Sequence, residues 1–257
     1  MMYRCIAFIF LVNLLVTLPC LAETKGSADN TDKAVGDPAE TVRLLLISPK
    51  ETLLSSEISA RIDTISVDVG DHFAKGHLLV SFNCSIYQAE LAKSEALIEE
   101  AEKTLEVNRR LEKLGSISEL EVAVAAARLS QVRADAAIKK YQVENCTIRA
   151  PFAGGVVKRV VAPHQYITPG QVVLQIIDTG NIEVQMHIPS LWIKNIKPST
   201  PFVMHIDEVQ KQYIGVVTAL GVRIDSTSQT IEIRGRAKGV NPELLAGMSG
   251  SAWFDFK

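Results

Sequence analysis

The stretch that most constrains this chain is Ser85–Asn145. It contains no proline and a single glycine, Gly115, with eleven alanines, nine Lys/Arg and eleven Asp/Glu. That composition favours long helix with its charges on solvated faces. Gly115 divides the run. "GSIS" supplies a turn, and Ser118 is placed as an N-cap ahead of Glu119 and Glu121. The prediction is two antiparallel helices at roughly 86–114 and 118–143, each about 40 Å long at about 1.5 Å per residue.

The apolar spacing inside the run steps by four and three, as a coiled-coil seam requires. In the first helix the seam reads Tyr87, Leu91, Ser94, Ile98, Ala101, Leu105 and Asn108. In the second it reads Leu120, Val124, Ala127, Gln131, Ala134, Ile138 and Tyr141. A further stripe on the second helix, Val122, Leu129, Val132 and Ala136, is expected to face elsewhere. It is either ordinary helix composition or a flank for a neighbouring subunit.

On both sides of the helical run lie similar strand–turn–strand units. The two halves, 58–84 and 146–178, overlay at a shift of 94 positions that brings 58–84 onto 152–178. Ile62 then meets Val156, Val67 meets Val161, Phe73 meets Ile167, and the turn glycines Gly76 and Gly170 coincide. Leu78, Leu79, Val80 and Phe82 meet Val172, Val173, Leu174 and Ile176. Such self-similarity marks two halves of one small β-sandwich with the helices inserted between them. Residues 41–57 read as strands leading into the β modules. Residues 179–257 hold several short apolar strands punctuated by Gly and Pro, the pattern of a small antiparallel barrel. The fold class is therefore mainly β, with a long α-helical coiled-coil hairpin breaking a lipoyl-like sandwich ahead of a barrel.

The N-terminus has the n-region, h-region and small-residue ending of a secretory signal, with Arg4, an apolar run and Ala22. Cleavage is expected after Ala22. Cys5–Ala22 is also about long enough to stay as an anchor, and Cys20 offers a lipoprotein reading that Pro19 fits poorly. Residues 23–40 are polar and small, a tether. Export leaves Cys84 and Cys146 at the two feet of the helical run, as a disulfide or as two buried thiols. A bridge closing about 63 residues would remove on the order of 4 kcal/mol of unfolded-state entropy.

Taken together, the paired half-motifs, "TIRAPFAGGVV" at the start of the second half and "DSTSQTIEIRGRAK…LLAGMSGSAWF" in the barrel resemble one family. They look like the periplasmic adaptor subunits, or membrane fusion proteins, of tripartite efflux pumps (HlyD and RND-adaptor types). The resemblance covers roughly residues 42–257. It implies a partner transporter in the inner membrane, a TolC-like outer-membrane channel, and self-association into a ring, expected as a hexamer. It also implies periplasmic location beside the inner membrane. Family members often carry a membrane-proximal domain after the barrel, expected here to be absent or rudimentary. Many dock the channel with an Arg–Leu–Ser pattern at the hairpin tip. Arg110, Leu114 and Ser118 match it in residue type, with a shorter step between Leu114 and Ser118. A solvated helix end with a capping serine would look the same.

No catalytic or cofactor constellation is visible. There is no G-x-S-x-G, no HExxH and no phosphate-cradling loop, and no lysine-bearing hairpin of the kind a biotin or lipoate carrier needs. His72 and His164, near equivalent turns, read as solvent-facing loop residues, and Met186, Met204 and Met248 as core fillers. The 27 basic and 29 acidic residues give no reason to expect nucleic acid. No enzyme, metal or cofactor is therefore expected. The leading function is a non-enzymatic adaptor for small-molecule efflux. The alternatives are an adaptor of type I-like protein or peptide secretion and, less favoured, a biotin or lipoate carrier subunit.

Overall fold

A computed structural model of the chain describes residues 41–239 and 241–256, so the expected signal and tether lie outside the described residues. The 94-residue offset organises the sandwich. Its strands are β2 (Glu51–Ser55), β3 (Ala60–Ile65), β4 (His72–Phe73), β5 (Leu78–Phe82), β6 (Thr147–Arg149), β7 (Gly154–Arg159), β8 (Tyr166–Ile167) and β9 (Val172–Ile177). One sheet runs β2-β9-β7-β4 and the other β6-β5-β3-β8. Shifting either order by the offset produces the other. Six of the seven apolar pairs that the overlay matched, from Ile62/Val156 to Phe82/Ile176, are buried in one core, and Leu78/Val172 is half-buried.

The turns repeat as well. Gly70 N–H donates to the Val156 carbonyl and His164 N–H to that of Ile62, each at 3.0 Å. Both residues are left-handed, φ +89° and +66°. The second half therefore holds a histidine where the first uses glycine, at some backbone cost.

The barrel is closed by β1 (Thr41–Ile47), β10 (Glu183–Pro189), β13 (Thr230–Ala237), β12 (Lys211–Asp225), β11 (Pro201–Ile206) and β14 (Ser249–Trp253), in that spatial order. β1 sits between β10 and β14, so the first strand after the tether is a barrel strand and the sandwich begins only at β2. Alternation along β10, β11 and β13 drives Met186, Ile188, Phe202, Met204, Ile231 and Ile233 inward. Phe202 lies over Gly215 and Gly235 of two neighbouring strands. A Cβ at either glycine would meet its ring at 2.4 or 2.7 Å.

Two linkers, 48–50 and 178–181, cross side by side between sandwich and barrel. Ser48 Oγ donates to the Asp178 carbonyl at 2.8 Å, and Asp178 N–H to that of Lys50 at 2.8 Å. The buried Asp178 carboxylate accepts from Gly180 N–H and Asn181 Nδ2, both at 2.8 Å.

Helix α1 spans Ser85–Lys113 and α2 spans Glu119–Glu144. They run antiparallel. Arg133 pairs with Glu102 at 2.6 Å and Lys139 with Glu90 at 2.7 Å. The turn follows from its residues. Gly115 takes φ +71°, the Gly115 and Ser116 N–H groups return to the carbonyls of Glu112 and Leu111, and this is the bonding of a Schellman stop. Across the turn, the Glu121 carboxylate accepts from Ser118 N–H at 2.9 Å and Ser118 Oγ at 3.3 Å.

The predicted seam holds on α1, where Ala101 and Leu105 are buried and the other five positions half-buried. On α2 it is the wrong face. The buried residues there are Ala125, Leu129, Val132 and Ala136, including three of the four assigned to the outer stripe. The predicted seam residues Leu120, Val124, Ile138 and Tyr141 are 57–71% exposed. A two-residue change of frame turns a helix by about 200°, and α2 carries Leu or Val on both faces. At its foot α2 runs through Cys146 into β6, which pairs antiparallel with β5.

Candidate functional site

The helix pair stands on a foot built from several independent ties. Cys84 and Cys146 are disulfide-bonded with Cα atoms 6.0 Å apart. Immediately beside them β5 and β6 pair antiparallel, Ser81 opposite Thr147, and Phe82 N–H donates to the Cys146 carbonyl at 2.9 Å. The β2–β3 loop adds a second tie. The Glu57 carboxylate accepts from Tyr141 Oη and from Asn145 Nδ2, the latter at 3.0 Å. Tyr87 Oη of α1 donates to the Ser59 carbonyl at 3.0 Å. Both helices are thus fastened to one loop of the sandwich as well as to each other. Residue reading missed Glu57 and Asp178. Asp178 had a local signal, since "DTGN" directly after an apolar strand is an Asx-turn pattern. Glu57 had none, because its partners lie 84 and 88 residues away.

At the far end, Arg110, Leu114 and Ser118 come together within the turn region, all exposed. Their availability differs. Arg110 is engaged by Glu106 of its own helix, and Ser118 is used as the α2 cap. Leu114 is 77% exposed and is the one of the three with its whole side chain open to a partner. His72 and His164 are both exposed, the first opening strand β4 and the second in the turn ahead of β8.

On the barrel wall, Glu243 joins the 241–248 loop to β12 by accepting from Lys211 Nζ and Tyr213 Oη, both at 2.6 Å. The Lys211 bond, helped by that of Tyr213, holds the Glu243 carboxyl below the ordinary carboxylate range. Desolvation and the Glu243 carboxylate push the Tyr213 hydroxyl up to about 12. Arg234 lies between Glu183 at 3.2 Å and Glu232 at 3.0 Å, bonds that hold its guanidinium more firmly charged.

No family model matches the chain. Among curated proteins it is 25% identical over 223 residues to the nodulation protein NolF of Rhizobium meliloti, covering 80% of this chain and 61% of that protein. It is 26% identical over 218 residues to the multidrug resistance protein MdtA of Yersinia enterocolitica, covering 74% and 49%. In fold it matches a MacA–MexA chimera containing the Pseudomonas aeruginosa MexA α-hairpin domain, with TM-score 0.73 and 16% identity over 84% of this chain and 81% of that one. It also matches the membrane fusion protein Spr0693 of Streptococcus pneumoniae R6, with TM-score 0.64 and 19% identity over 84% and 99%.

The chain is thus similar in sequence to a nodulation protein and to multidrug resistance proteins, and it shares its fold with a solved membrane fusion protein. It spans about half to three-fifths of the length of the curated relatives above (49% and 61%). The helix pair and its foot are the surfaces that stand out in this fold. Here they offer a braced base, an exposed Leu114, and an α2 face whose apolar side chains are turned outward.

Proposed function

We propose that this chain is a non-enzymatic periplasmic adaptor that links an inner-membrane efflux transporter to an outer-membrane channel for export of small molecules. The observation that carries the reading is the doubly tied helix pair projecting from a sandwich whose halves are related by one 94-residue shift. The reading is supported by the likeness in fold to a MacA–MexA chimera and to a membrane fusion protein. A carrier domain needs a mobile lysine at a tight hairpin. The equivalent position here is spent on a lever of 29- and 26-residue helices.

In this reading the helices act as a coiled-coil hairpin. The disulfide and Glu57 hold it at a fixed angle, and the tip, with Leu114 foremost beside Arg110 and Ser118, meets the channel. The outward face of α2, from Leu120 to Tyr141, packs against the next subunit of a ring, taken as a hexamer. Covering Leu120, Val124 and Ile138 would contribute on the order of 1–2 kcal/mol each. The barrel contacts the transporter.

The test is photocrosslinking in intact cells with the probe at Ser116. An adduct to an outer-membrane channel is the expected result. A folded, exported protein that gives none would remove the tip from the docking role and with it the tripartite reading.

A further inference from the structure

One end of the barrel combines features that its core does not require. Thr41 opens β1 opposite Trp253, the last residue of β14, so residues 1–40 join the barrel at this end. β10 leaves at the same level into a short 3-10 turn, Ser190–Lys194, "SLWIK". Ser190 N–H donates at 2.9 Å to the Gln229 carbonyl at the tip of the β12–β13 hairpin, tying turn and tip together.

Trp192 anchors the turn. Its ring stands edge-on to Phe254 at 6.2 Å and to Phe256 at 5.1 Å, and those two rings stack at 5.8 Å. With Trp192 committed inward, the residues on either side are left in solvent. Leu191 is 81% exposed and Ile193 partly so, while Val222 and Ile224 on the adjoining hairpin are also exposed. A single exposed leucine is unremarkable, but four such side chains on one end of a barrel form a patch.

This end of the barrel carries both signs, with the Asp225 and Asp255 carboxylates beside three basic residues. Lys194, Lys197 and Arg223 form no salt bridge among the described residues. The Asp225 carboxylate is occupied by Thr227 N–H and by the N–H and hydroxyl of Ser228, bonds that lower its pKa. Apolar side chains rimmed by open cations, over an aromatic base, suit the boundary between acyl chains and anionic headgroups.

The chain outside the structure points to the same occupant. An apolar run, residues 5–22, precedes an 18-residue polar stretch that enters at Thr41. Eighteen residues can span at most about 60 Å. Kept as the anchor that the sequence allows as the alternative to cleavage after Ala22, the run would hold this end of the barrel within that distance of the bilayer. We propose that this end of the barrel is a lipid-contacting face. Leu191 and Ile193 enter the headgroup–acyl boundary of an anionic bilayer, Val222 and Ile224 extend the contact, and Lys194, Lys197 and Arg223 lie against lipid phosphates. The proposal rests on the exported, membrane-adjacent reading and is independent of the channel.

Trp192 and Trp253 are the two tryptophans of the chain, so Trp253→Phe leaves Trp192 as a reporter inside the patch. The exported protein carrying that change is mixed with phosphatidylethanolamine–phosphatidylglycerol vesicles whose acyl chains are brominated near the headgroup. The expected result is quenching of Trp192 emission that weakens with added salt and with neutral phosphatidylcholine vesicles. Leu191→Asp should abolish it while the circular dichroism spectrum is unchanged, and Lys194→Glu with Lys197→Glu should reduce it. Absence of quenching would overturn the proposal. So would quenching indifferent to Leu191→Asp, which would assign all binding to the N-terminal run. Binding to a solubilised inner-membrane protein with no vesicle quenching would give the face to a protein partner and equally overturn it. A negative Ser116 crosslink would leave this result untouched, so the two readings fail separately.

Discussion

The β modules and the helix pair differ in how they are held. Among the described residues the sandwich and the barrel enclose seventeen and sixteen buried residues, whereas the helix pair, although each helix is longer than any strand, encloses six, three of them alanine. The β modules can therefore be stable through their own packing. The helix pair owes its orientation to ties at one end and leaves apolar side chains uncovered along α2. A lever whose stability comes from its base and whose sides are sticky is suited to assembly, where neighbours supply the packing it lacks.

The strongest way to break that comparison is in the barrel. Phe202→Ala removes a ring packed over two glycines, and should cost about 3–5 kcal/mol in chemical denaturation. A cost under about 1 kcal/mol would mean that the barrel core is not the self-sufficient unit described.

The foot comes next. Cys84→Ser opens a bridge between residues 62 apart, worth about 4 kcal/mol as an upper value in the chain-entropy model. Hydrogen exchange should rise in α1, α2, β5 and β6 and stay unchanged in β10–β14. Equal loosening of the barrel would show that the disulfide supports the whole molecule and not the lever.

The helix pair offers a sharper contrast between its two faces. Leu129→Ala should destabilise the pair by about 2 kcal/mol, the low end for a buried leucine because its neighbours are small. Ile138→Ala, on the open face, should change monomer stability by less than about 0.5 kcal/mol while weakening self-association in sedimentation. Unchanged association would take the outward face out of the assembly.

The smallest effect is the pH response of the 241–248 loop. The folded Glu243 pKa is depressed, so its contribution is present above the ordinary carboxylate value and lost as pH falls through the folded one. The folded Tyr213 pKa is raised from 10.0 to about 12, so its contribution is full below 10.0 and disappears as pH rises through about 12. Amide exchange at Leu244 and Leu245 should increase at both extremes, and Tyr213→Phe should abolish the alkaline limb alone. An alkaline limb that survives Tyr213→Phe would exclude the tyrosine as its source.

Much of the architecture was legible because its signals are local or repeated. Alanine content and the missing prolines announce the helices, Gly115 and Ser118 announce the turn, and the 94-residue offset announces a two-part sandwich. The foot was half legible: two cysteines at the ends of one insert are visible in sequence, but Glu57 reaching Tyr141 and Asn145 is not. The α2 seam was misread because Leu120, Val124 and Ile138 satisfy the same periodicity as Val122, Leu129 and Val132.

The sequence alone therefore determined which segments are helix or strand, where they stop, and that two half-motifs belong together. Periodicity, capping and backbone freedom act over a few residues and need no partner. Only the tertiary structure decided which face of α2 turns inward, that β1 closes the barrel, and that one barrel end gathers Leu191, Ile193 and Val222 beside the entering chain. Those outcomes depend on pairing between residues far apart in the chain, and a side chain's own sequence neighbours carry no record of which distant surface it will meet.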